Sequence, residues 1–65
     1  MYHELQVTLI NEAGDKRLTR SERTVEMRST PLAHRICKMT ERATNESPEH
    51  GKYGPWKILA WNWQS

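Results

Sequence analysis

The stretch STPLAHRICKMTERAT, residues 29–44, decides the fold, because here alone apolar residues recur at helical spacing. Thr30 stands where a hydroxyl can accept from a first-turn amide, and Pro31 suits the first helical position, whose N–H would lack a partner anyway. Leu32, Ile36, Met39 and Ala43 follow at intervals of four, three and four, with Ala33 and Cys37 widening the stripe. His34, Arg35, Lys38, Glu41 and Arg42 take the other side. The spacing predicts a helix over 31–44 that lays its apolar stripe on a core.

Upstream, residues 4–10 alternate, with Leu5, Val7 and Leu9 against Glu4, Gln6 and Thr8, the period of a half-buried strand. Asn11, Gly14 and Asp15 tolerate the backbone of a tight reversal, so a hairpin turn is expected there. The return strand, 17–28, is less regular. Leu18 opens it, Ser21 and Glu22 interrupt the apolar pattern, and Val25 and Met27 resume it on one face, which predicts a break or bulge near 21–23. Downstream of the helix, 45–54 holds Asn, Ser, Pro and two glycines without periodicity and reads as a surface loop. Residues 55–63, rich in Trp, Ile and Leu, read as a last strand.

A helical crossover makes the second and third strands parallel, which leaves room for the first between them, antiparallel to both. The expectation is therefore an α+β domain of ββαβ order, with a three-stranded sheet ordered 2-1-3 and one helix on one face. At 65 residues the chain is one domain, 1–65, with a single small core. A lone cysteine, Cys37, rules out an internal disulfide, so good packing or association must supply what small domains otherwise gain from cross-links.

Ten Lys and Arg against eight Asp and Glu leave a net charge of only +2, which excludes a histone-like polycation. Met1 to Glu4 lack the basic start of a secretory signal, and no apolar run approaches the ~20 residues of a membrane span. The reading is a cytoplasmic protein without a membrane partner. Asn45-Glu46-Ser47 fits a glycosylation sequon, a chance match in that compartment.

No catalytic or metal pattern in the sequence holds together. Cys37 has His34 one turn away but no orienting group or oxyanion site, so a buried small hydrophobe is the better reading. His3, His34, His50 and Cys37 match no ligand spacing, and Gly14, Gly51 and Gly54 do not form a phosphate loop. No cofactor, metal or enzymatic activity is expected.

Strict alternation along the last strand would place Trp56, Ile58 and Ala60 on one face and Lys57, Leu59, Trp61 and Trp63 on the other. One helix cannot cover both, so Leu59, Trp61 and Trp63 become candidate anchors for a protein partner, with Lys57 at their rim. Pairing of the last strand in a homodimer would cover the same residues. Alternatively, Arg17, Arg20, Arg23, Arg28, Arg35, Lys38 and Arg42 could follow a phosphate backbone while Tyr53 stacks on unpaired bases, although Asp15, Glu22, Glu26 and Glu41 are interspersed.

Pro31-Leu32 followed by Cys37-x-Met39, after an N-terminal strand and a Gly-containing turn, resembles a group of short enterobacterial and lambdoid-prophage proteins of unknown function. The likeness extends to Met39; the Arg-rich return segment and the Trp-rich last strand depart from it. It implies a phage accessory protein that binds and inhibits or redirects a host protein or defence complex, and it assigns no functional residues. The leading expectation is a non-enzymatic protein-interaction module; the alternative is a small single-stranded nucleic-acid binder.

Overall fold

The computed structural model describes residues 1–64. Its elements run β1 (His3–Asn11), β2 (Arg17–Thr24), α1 (Thr30–Glu46), a short 3₁₀ turn (Gly51–Tyr53) and β3 (Trp56–Gln64). The sheet order is β2-β1-β3, with β1 antiparallel to both neighbours, so the expected ββαβ arrangement is the one observed.

β1 carries the core because it alone is flanked on both sides. Leu5, Val7 and Leu9 are fully buried on the α1 face, and Ala33, Cys37 and Trp56 close over them. Its turn is held by Asn11, whose amide Nδ2 donates to Asp15 at 2.8 Å while its Oδ1 accepts from the Lys16 N–H at 3.0 Å. Gly14, at φ 79, supplies the left-handed residue that the reversal needs. The Asn11 amide, with Lys16 adding, holds the Asp15 carboxyl below its ordinary pKa.

Several expected features differ in the structure. β2 is shorter than 17–28 and runs without a break near 21–23: from His3↔Thr24 to Ile10↔Arg17 its register against β1 is continuous. Ser21 and Glu22 look like an interruption only because an edge strand with one face unpacked needs no apolar alternation. Val25 and Met27 lie beyond the strand and are 73% and 82% exposed. The 45–54 segment is also less of a loop than expected. Asn45 and Glu46 complete the helix, and Gly51–Tyr53 form a turn tied to Ser47 by the Gly51 N–H at 2.7 Å.

The helix cap shifts by one residue. Ser29 is the N-cap, its Oγ accepting from the Leu32 N–H at 3.2 Å, and Thr30 and Pro31 occupy the first helical positions. The helix is also turned relative to expectation. Its buried residues are Leu32, Ala33, Cys37, Thr40 and Thr44, whereas Met39 is 65% exposed. Small side chains face the sheet because leucines and tryptophans already fill the space there, and Thr44 keeps its buried hydroxyl satisfied by donating to the Thr40 carbonyl at 2.8 Å.

The decisive irregularity is in β3. Leu9 pairs with Ile58 and Thr8 with Ala60, so Leu59 is an extra residue without a partner on β1. This bulge reverses the inside-outside parity beyond it. Trp56 and Ile58 before the bulge, and Trp61 and Trp63 after it, therefore all stand on the α1 side, where Ile58, Trp61 and Trp63 pack against the core cluster. The expectation that Trp61 and Trp63 lie on the face opposite Trp56 and Ile58 is corrected.

Ser29→Ala should cost about 1 kcal/mol by loss of the cap, and Thr30→Ala less than about 0.5 kcal/mol as an exposed first-turn change, both read by urea denaturation. Equal effects would contradict the cap assignment.

Candidate functional site

The two free edges of the sheet, β2 and β3, differ in how they are finished. Beside β3, Asn45 makes a two-point clasp on Trp56: its Oδ1 accepts from the Trp56 N–H at 2.6 Å and its Nδ2 donates to the Trp56 carbonyl at 3.1 Å. One turn earlier on α1, Glu41 accepts from the Ile58 N–H at 3.2 Å. Outward groups that a strand would leave open are thus satisfied by the helix, and the bulge at Leu59 follows at once, two devices that discourage strand pairing. The Trp56 indole donates to the His50 carbonyl at 2.8 Å, fixing the turn beneath. A Cβ on Gly51 would sit 2.5 Å from the Asn45 carbonyl oxygen, so only glycine allows the turn to approach this closely.

β2 has no such cover. It is eight residues long, contains neither proline nor bulge, and no hydrogen bond among the described residues reaches its outward backbone groups. α1 packs against β3 and β1 and leans away from β2. The space left between α1 and β2 is a groove of about 300 Å³, with Ile36, Met39, Thr40 and Ala43 on one wall and Arg20, Glu22 and Arg23 on the other. Thin polar links cross it, from Arg20 to Thr44 Oγ1 at 3.5 Å and from the Thr40 hydroxyl to Glu22 at 3.4 Å. Met39 and Ala43, expected against the sheet, are exposed and border this groove instead, while Ile36 both packs on the core cluster and lines the groove.

Of the four residues expected to bind a partner, Trp61 and Trp63 are half-buried on the α1 side. Trp61 meets His34 edge-on, with ring centroids 5.8 Å apart. Lys57 is exposed, and Leu59, 47% exposed, is the bulged residue itself. The apolar surface these residues offer is much smaller than strict alternation implied.

The basic residues do not form one stripe. Arg17 and Arg23 share a parity on β2 opposite that of Arg20, and Arg20 lies 3.7 Å from Glu22. Arg35 and Arg42 pair on the surface with Glu26 and Glu46, each at 3.2 Å, Arg28 stands in the exposed link before α1, and Lys38 is exposed on the helix. Tyr53 sits at the hairpin end, with the Lys16 and Lys52 ammonium groups 4.9 and 5.1 Å from its ring centre.

Cys37 is buried in the core cluster, and burial, with the Glu41 carboxylate adding, pushes its thiol pKa up. That is the opposite of nucleophile activation. Among the described residues no group of three or more His, Cys, Asp and Glu is placed to hold a metal ion, and no helix is long and apolar enough to cross a membrane. Compared with family models, curated proteins and solved structures, the chain matches none.

The groove escaped sequence reading because its apolar wall is made of residues that look like core. The bulge escaped because its extra residue is a leucine, with no glycine or proline to mark the site.

Asn45→Ala should destabilise the fold by about 2 kcal/mol or more, since it strips both partners from the Trp56 backbone. Unchanged urea stability would show the clasp to be incidental. At pH 8 the native Cys37 thiol should react with a disulfide reagent at least about tenfold more slowly than in urea. The raised pKa keeps the folded form protonated, so stability should fall as pH rises above the unfolded thiol value.

Proposed function

We propose that this chain is a non-enzymatic protein-interaction module that engages another polypeptide along β2, by addition of a strand to its free edge. The observation that carries the reading is the contrast between the edges: Asn45, Glu41 and the bulge finish β3, while β2 is straight and open beside an apolar wall. An added strand gains backbone hydrogen bonds from β2, and its alternate side chains enter the α1–β2 groove against Ile36 and Met39.

This moves the docking surface from the Trp61–Trp63 region to the opposite edge of the sheet. The resemblance noted in the sequence adds a provenance, a phage accessory protein in the host cytoplasm. Single-stranded nucleic acid is the weaker alternative, because half of the expected cationic surface is paired with carboxylates or split between faces.

The test compares tagged wild type with tagged Met39→Glu, a change at a 65% exposed position, after nuclease treatment of a bacterial extract that also contains the untagged chain. The wild type should retain at least one polypeptide in near-stoichiometric amount, and Met39→Glu should lose most of it while keeping its thermal midpoint. Retention of no polypeptide, or equal retention by wild type and Met39→Glu, would overturn the reading.

A further inference from the structure

The geometry points to a second copy of this chain as the occupant of the β2 edge, through antiparallel pairing of β2 with β2 about a two-fold axis at Ser21. The inference rests on β2 being a polypeptide-docking edge and names the partner.

The sequence of β2, RLTRSERT, is self-complementary in that register. With Ser21 opposite Ser21 of the second copy, Arg20 faces Glu22 and Glu22 faces Arg20, so one seam holds two opposite-charge cross-strand pairs. Within one chain Arg20 and Glu22 already lie 3.7 Å apart and are about one-third exposed, at 39% and 34%. Pairing therefore joins two partly hydrated couples into a four-charge cluster and leaves no lone charge buried.

The same register accounts for the groove. Leu18, Arg20, Glu22 and Thr24 share the parity of the buried β1 residues, so the corresponding residues of the second copy also face the α1 side at the seam. Arg20 of the second copy then enters beside Ile36 and Met39, where its methylene stem can lie on their apolar surface while its head meets Glu22. An axis normal to the sheet keeps both helices on one face, giving a six-stranded sheet with β3 at its outer edges, where Asn45 and Glu41 already satisfy the backbone.

Sedimentation of the purified full chain tests the proposal. Wild type should reach dimer mass at concentrations up to about 500 µM. Arg20→Glu and Glu22→Arg, each checked for fold by circular dichroism, should each weaken self-association about tenfold or more, because every cross-seam pair becomes a like-charge pair. An equimolar mixture of the two variants should recover the dimer, since every cross-seam pair is then again of opposite charge, a result that loss of the intrachain contact cannot produce. As a second reading, oxidised Ser21→Cys should run as a covalent dimer, and Ala13→Cys, in the turn, should not. Wild type that stays monomeric, or variants whose mixture associates no better than either alone, would overturn the second copy as occupant. If such a monomer still retains a different polypeptide in a Met39-dependent manner, the docking edge stands and only its occupant changes; if it retains none, both readings fall.

Discussion

The arrangement depends on one extra residue in β3. A strand of strict alternation could offer the core either Trp56 and Ile58 or Trp61 and Trp63; the bulge at Leu59 lets it offer all four. The consequence is large for a chain of 65 residues, which has few other bulky side chains and no disulfide. With tryptophans filling the space over the sheet, the helix must present small groups to it. Ala33, Cys37, Thr40 and Thr44 do so, and the larger Met39 is left outside.

That turn of the helix links the core to the surface. Once Ala33 and Cys37 face the sheet, Glu41 and Asn45 fall beside the start of β3 and can bond the Trp56 and Ile58 backbone, which fastens the helix to that side. The same fastening draws it away from β2, opening the groove and leaving Ile36 and Met39 along its wall. The closed edge and the open edge are two results of one packing decision, and the proposed function lies on the open one.

Much of this was legible in the sequence. Alternation in residues 4–10, the Asn11–Asp15 turn and the Pro31 helix start were enough to give the element order, and the right-handed crossover rule then gave the sheet order 2-1-3. Periodicity failed where it was taken literally. In β3 it could not reveal a bulge formed at a leucine, and in α1 it placed Leu32, Ala33, Ile36 and Cys37 inside correctly but put Met39 and Ala43 there in place of Thr40 and Thr44. The polar side chains of Asn45 and Glu41 gave no local sign that their partners lay 11 and 17 residues away in β3. For the same reason the Trp61–Trp63 surface looked larger in sequence than in space, and the open β2 edge looked like a defect in a strand.

Deletion of Leu59, compared with Leu59→Lys at the same exposed position, tests the central claim most directly. Removing the residue forces Trp61 and Trp63 to the opposite face or breaks the register. Displacing two half-buried tryptophans together should cost about as much as the roughly 3–5 kcal/mol of truncating one buried tryptophan, against a stability of about 5–10 kcal/mol for a domain this small. The account predicts that the deletion abolishes cooperative unfolding followed by tryptophan fluorescence, while Leu59→Lys shifts the urea midpoint only slightly. A deletion variant that unfolds cooperatively with a near wild-type midpoint and keeps the His34–Trp61 ring contact by nuclear Overhauser effect would contradict it.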